Sequence, residues 1–148
     1  MKLVIASDHA GYPLKKCLVE WLGGQDGLEV SDLGPESADS VDYPDFAGKL
    51  CRAILSGDAS SGILICNTGI GMSISSNRFC GVRAALCLYP DMAYWARHHN
   101  NANVLVMGAG LTAPFMARRI VEVFLREPFD GGRHQRRVQK MDSLPEDS

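Results

Sequence analysis

The stretch that most constrains this chain is Gly62-Ile63-Leu64-Ile65-Cys66-Asn67-Thr68-Gly69-Ile70-Gly71. Gly62 to Ile65 form a short apolar run of the kind that becomes a strand buried on both faces. The run ends in a thiol, and an Asn-Thr-Gly-Ile-Gly turn follows it. The next segment, Met72-Ser73-Ile74-Ser75-Ser76-Asn77, suits a helix start. A strand, a glycine turn and a helix start make an anion cradle. Glycine permits φ > 0 and close approach, so successive N–H groups face one point, and the helix start adds partial positive charge. Phosphate cradles do not need a cysteine. Proton-transfer and acyl-transfer sites often do, so Cys66 is a candidate base or nucleophile, against the plainer alternative of a small core thiol.

Either side of that stretch, strands and helices alternate. Leu3 to Ser7 reads as a first strand, and Pro13 opens a helix to Leu22 that Gly23-Gly24 stops. Leu28 to Leu33 gives a second strand, and a helix from Tyr43-Pro44-Asp45 ends at Gly57. Beyond the central stretch come a strand over Val82 to Leu88, a helix from Pro90-Asp91 to His98, a strand over Val104 to Met107 and a helix over Ala113 to Leu125. This spacing predicts an α/β fold, a Rossmann-like three-layer sandwich with a five-stranded parallel sheet, whose ligand site lies beyond the carboxyl ends of the strands. Residues 127–148 are polar without a strong period, apart from the cationic cluster Gly131-Gly132-Arg133-His134-Gln135-Arg136-Arg137. We therefore expect one domain over residues 1–140 and a polar tail over 141–148, with its acidic end frayed.

With 148 residues, 46% of them apolar, the chain can bury a full core. A net charge of −2 gives no reason to expect nucleic acid or an anionic membrane as partner. No apolar run approaches membrane-spanning length and no signal-peptide pattern precedes the first strand. The five cysteines are odd in number and lack a Cys-x-x-Cys spacing, which argues against a disulfide framework or a zinc site. A reducing, cytoplasmic setting is the expectation.

The histidines fall in few places. Asp8-His9 sits where the first strand ends, and His98-His99-Asn100-Asn101 closes a helix before the fifth strand. Asp8 also suits a helix N-cap, His9 a solvated loop, and a histidine at 98 or 99 the helix dipole. Taken together, strand-end positions in a doubly wound sheet converge on one edge, which joins them with Cys66. Arg133 and Arg137, four apart on a helical turn, share a face suited to clamping a phosphate. The Gly69/Gly71 pair invites a dinucleotide reading, but Ile74 stands where a third small residue is needed and no Gly-Lys-Ser/Thr follows.

Five blocks in chain order resemble one family: Ser7-Asp8-His9-Ala10-Gly11, Asp42-Tyr43-Pro44, the stretch from Gly62 to Gly71, His99 to Leu105, and Gly131 to Arg137. The chain is similar to ribose-5-phosphate isomerase type B, whose wider family includes galactose-6-phosphate isomerase subunits. That resemblance implies a cofactor-free, metal-independent aldose–ketose isomerase of the pentose phosphate pathway. It implies a homodimer or tetramer with active sites at the dimer interface. The reaction interconverts D-ribose 5-phosphate and D-ribulose 5-phosphate through a cis-enediolate. By the same resemblance Cys66 is the base, Thr68 positions the sugar, and the amides of Asn67, Gly69, Ile70 and Gly71 stabilise the enediolate. His99 opens the furanose ring from the partner subunit. Asp8, His9 and Asn100 hold hydroxyls, and Arg133 and Arg137 bind phosphate with His134 nearby.

The family usually carries a phosphate-binding arginine after the fifth strand, where this chain has Gly110. Losing one charge-assisted contact costs roughly 1.5–3 kcal/mol. Arg97, His98 and Arg136 are the candidates to replace it. The alternatives are an isomerase of allose or galactose 6-phosphate, and a non-catalytic sugar-phosphate binding module.

Overall fold

The computed structural model describes residues 1–144. Its elements are β1 (Lys2–Ser7), α1 (Tyr12–Leu22), β2 (Glu29–Asp32), α2 (Tyr43–Leu55), β3 (Ser61–Cys66), α3 (Ile70–Ser76), β4 (Ala84–Leu86), α4 (Pro90–Asn100), β5 (Val104–Gly108), α5 (Pro114–Arg126) and α6 (Arg133–Asp142). The strands form one parallel sheet in the order β2-β1-β3-β5-β4. Central β3 and β5 bury almost every residue because both their faces are covered. Alternate side chains divide between two cores. Leu3, Ile5, Ile63, Ile65 and Leu105 pack beneath α1, α4 and α5. Val4, Leu64, Cys66 and Val106 pack on the other face, against Leu50 of α2 and Met72 of α3. This is the expected three-layer α/β sandwich.

Four helices begin with proline at the first or second position, where the missing N–H has no intrahelical partner to lose. Lys15 is interior although charged, at 1% exposed. Its ammonium donates to both Asp32 carboxylate oxygens at 2.6 Å and to the Pro35 carbonyl at 2.8 Å, tying α1 to the loop after β2.

Two expectations need correction. The fourth strand spans only Ala84–Leu86 rather than Val82 to Leu88. Before it, Val82 donates to the Phe79 carbonyl and the Arg83 N–H to the Asn103 side chain, so those groups leave the ladder. The polar region after residue 127 contains α6, which runs to Asp142. Its buried side chains are His134 and Val138, one turn apart, too narrow a stripe to register as a period. Helical structure therefore enters the stretch expected to be a tail, while the expected fraying of Pro145 to Ser148 lies outside the described residues. Among the described residues, no helix is long and apolar enough to cross a membrane.

Candidate active site

Cys66 is the last residue of β3, 5% exposed and pointing toward α2 and α3. The chain turns at once. Gly69 adopts φ 81°, open to glycine at little strain, and its N–H donates to Cys66 Sγ at 3.0 Å. The sulfur is thus already an acceptor, the role a base plays before it takes up a proton. The Ile70 N–H donates to Thr68 Oγ1 at 3.3 Å, so Thr68 is folded back over the turn. α3 starts at Ile70, and its first amides, including that of Gly71, lie beside the sulfur's turn.

Asp8 and His9 come from the neighbouring strand end. The Asp8 N–H donates to the Ile65 carbonyl at 3.1 Å, placing Asp8 against the last turn of β3. One Asp8 oxygen accepts the Gly11 N–H at 2.8 Å, which organises the turn into α1. The His9 ring meets the backbone of Val41 through Nδ1 at 3.3 Å. Cys66, Asn67, Thr68, Asp8 and His9 therefore share the carboxyl edge of the sheet.

The remaining candidates form a second cluster. His99 and Asn100 end α4, and Arg133, His134 and Arg137 lie on α6. The His99 and His134 rings stack at 4.1 Å and 9°, and Trp95 covers His99 at 4.5 Å. Burial, then the neighbouring His99, Arg133 and Arg137, hold His134 below the usual histidine range, so its neutral form is favoured. Arg133 and Arg137 are exposed and have no carboxylate partner among the described residues. His99, Asp130 and His134 bring ligand-type atoms within 4.8 Å of one another. The two rings lie in near-parallel planes, so their lone pairs do not meet at one point as chelation requires.

One chain does not bring the two clusters together, which corrects the expectation of a single edge. α4 runs back against the strand direction, and a short connection over 101–103 leads from its end to the first residue of β5, Val104, which pairs with Gly62 at the amino end of β3. His99 and Asn100 thus lie at the amino edge, while Cys66 pairs with Gly108 at the carboxyl edge. The length of β3 separates them, roughly 16 Å at 3.3 Å per residue. Being before a strand and being after one look alike in a list of strand-end residues, but they are opposite edges.

Two of the residues considered as replacements for an arginine at 110 are already engaged. Arg97 donates to the carbonyls of Ala102 and Glu127 at 2.5 and 3.2 Å. His98 Nε2 meets the Glu127 carboxylate at 2.9 Å and Nδ1 meets Asp130 at 2.5 Å. The hydrogen bonds to Glu127 and then Asp130 raise the His98 pKa, and the bond from His98, then that from Arg126, lowers that of Glu127. His98 therefore adds stability that is complete below its ordinary value of 6.5 and is lost as pH rises through the raised pKa. Glu127 adds stability that is complete above its ordinary value of 4.5 and is lost as pH falls through the lowered one. The Tm gap between the wild type and His98→Gln, followed by thermal unfolding, is expected to narrow from neutrality upward. A gap that holds at alkaline pH contradicts this.

Gly110 lies beside the Cys66 turn, its N–H donating to the Asn67 carbonyl at 2.8 Å. A Cβ there would fall 2.5 Å from Asn67 Oδ1 and 3.1 Å from its carbonyl oxygen. Asn67 and Gly110 also border an open cleft of about 330 Å³ that reaches Ala10, Pro13 and Thr112. Gly110→Arg alone is thus expected to push Asn67 aside and lower kcat about tenfold. The double variant Asn67→Gly/Gly110→Arg removes the closer contact, that with Asn67 Oδ1, and is expected to lower KM instead. Steady-state kinetics on a sugar phosphate separates the two, and a single variant with unchanged kcat overturns the steric account.

The sequence model of the Ribose/Galactose Isomerase family matches residues 3–141. The chain belongs to the ribose/galactose isomerase family. Within it, ribose-5-phosphate isomerase B of Escherichia coli K12 is 39% identical over 143 residues, 97% of this chain and 95% of the relative. A putative sugar phosphate isomerase of Rickettsia bellii is 46% identical over 140 residues, covering 95% of this chain and 96% of its own. The crystal structure of a Thermotoga maritima ribose 5-phosphate isomerase superposes with a TM-score of 0.94 at 55% identity, covering 97% of this chain and 98% of that one. Membership of the family accords with the fold and with the resemblance carried by the five blocks. Glu127 and Asp130, which hold His98, escaped the sequence reading; they stand in a polar stretch with no motif to mark them.

Proposed function

We propose that the chain isomerises D-ribose 5-phosphate and D-ribulose 5-phosphate, at a site completed by a second copy. The observation that carries this reading is the Cys66 sulfur, an acceptor from the Gly69 N–H inside a turn of backbone amides. In this reading the Cys66 thiolate takes the proton from C2 of the open-chain aldose and returns it to C1. The negative charge on the enediolate oxygen faces the amides of Asn67, Gly69, Ile70 and Gly71, where preorganised donors act most strongly. Thr68, Asp8, His9 and Asn100 hold hydroxyls. His99 of the second copy passes a proton to the ring oxygen to open the furanose, and Arg133 and Arg137, with His134, take the phosphate. Every step uses protein groups alone, so EDTA is expected to leave turnover unchanged.

The need for a second copy follows from the two edges. Cys66 and His99 cannot meet within one chain, but a neighbour set against the carboxyl edge can present its own amino-edge cluster there. Exposed apolar side chains flank the Cys66 turn: Ile70 is 53%, Ile74 63% and Tyr43 41% exposed. A partner surface would cover them. The open cleft beside Asn67 and Gly110 favours a second reading, a hexose 6-phosphate with one more carbon to place. The deciding experiment is conversion of ribose 5-phosphate by the purified protein, run beside allose and galactose 6-phosphates. Preferred turnover of the pentose supports the first reading, preferred turnover of a hexose the second, and none of either overturns both.

A further inference from the structure

Arg133, His134 and Arg137 on α6, which meet His99 and Asn100 at the end of α4, follow residues 127–132, which join α5 to α6 and form no helix or strand. That segment does not hold its own shape. It ends in Gly131 and Gly132, both at positive φ (65° and 53°), and α6 buries only His134 and Val138. α4 holds the segment instead: Arg97 donates to the Glu127 carbonyl at 3.2 Å, and His98 alone reaches Asp130. The two ring nitrogens of His98 meet Asp130 at 2.5 Å and Glu127 at 2.9 Å, and its carbonyl accepts the Asp130 N–H at 3.1 Å. The ring is itself fixed, 9% exposed and stacked on Tyr94 at 3.9 Å.

We propose that His98 is a positioning residue that aligns α6 with the end of α4, and so sets where His134 meets His99 and where Arg133 and Arg137 present their guanidinium groups. This inference rests on the isomerase reading for its kinetic consequence and on geometry alone for the clamp. His98 touches no substrate; its effect passes through the Glu127–Gly132 segment. Because His99 follows it directly and stacks face to face on His134, a shift of the segment by an ångström separates those rings. Misplacement on that scale costs catalysis heavily even when every reacting group is present.

The test compares His98→Phe, which keeps an aromatic ring against Tyr94 but has no N–H, with His98→Gln, which keeps a donor for one carboxylate. His98→Phe is expected to lower kcat/KM for ribose 5-phosphate about 10- to 100-fold, with kcat reduced through His99 and KM raised through the arginines. His98→Gln is expected to recover part of both. Hydrogen exchange at the Asp130 amide is expected to quicken in His98→Phe. Hydrogen exchange in the β1–β3 ladder, remote from the segment, is expected to stay at the wild-type rate. Unchanged kcat and KM in His98→Phe, unchanged exchange at Asp130, or faster exchange in that ladder, the mark of general loosening, each overturn the proposal. Should the wild type fail to isomerise ribose 5-phosphate, the functional reading falls while the exchange measurement still decides the clamp.

Discussion

Replacing Cys66 with alanine is expected to lower kcat for ribose 5-phosphate about 10²- to 10⁴-fold, the range by which a positioned general base accelerates proton transfer. No nearby side chain is placed to take over. Asp8 is the adjacent carboxylate, and it already accepts the Gly11 N–H at the head of α1. Binding is expected to persist, because the groups assigned to phosphate lie on α6 of the second copy and the substitution at 66 leaves them in place. The substitution leaves the Gly69 N–H without its sulfur acceptor, at a price of about 1–3 kcal/mol in stability. Turnover and calorimetric binding of a phosphorylated aldonate, which has no aldehyde to isomerise, should be measured on the same folded sample. Lost turnover with retained binding is the expected pair. Retained turnover removes Cys66 as the base.

Mixing two inactive variants is expected to restore activity. Cys66→Ala damages only the carboxyl edge and His99→Asn only the amino edge, and the strand between them keeps each defect local. A mixed dimer of the two carries one site with both residues replaced and one with both intact. Random reassociation makes half the dimers mixed, so recovery approaches roughly a quarter of the wild-type rate. The measurement is activity after co-unfolding and co-refolding of the two proteins, against each refolded alone. Absence of recovery, with dimers formed, would place Cys66 and His99 in unconnected roles. Recovery requires a site shared between copies, which no single-chain arrangement gives.

Much of the architecture was legible because it rests on local rules. The run Ile63-Leu64-Ile65 has the composition of a strand covered on both faces, and it is one. Prolines 13, 44, 90 and 114 mark helix starts because a helix's first N–H groups have no partner there. The geometry of the Cys66 turn was legible for a similar reason: a thiol three residues before a glycine able to adopt positive φ brings N–H to sulfur within one turn. α6 was not legible, because a helix burying two residues leaves no period to read. Nor was the engagement of His98 and Arg97, whose partners Glu127 and Asp130 lie some thirty residues away in the chain.

The amino-acid sequence by itself determined the alternation of strands and helices, the parallel sheet and the glycine turn that follows Cys66. These depend on neighbours within a few residues, where periodicity and backbone preference act. Only the tertiary structure decided which candidates share an edge. Asp8 joins Cys66 because their strands are adjacent and parallel, and His99 is parted from it because α4 returns to the start of the sheet before β5 begins. That separation comes from chain direction through a packed layer, a property that belongs to no single stretch of residues.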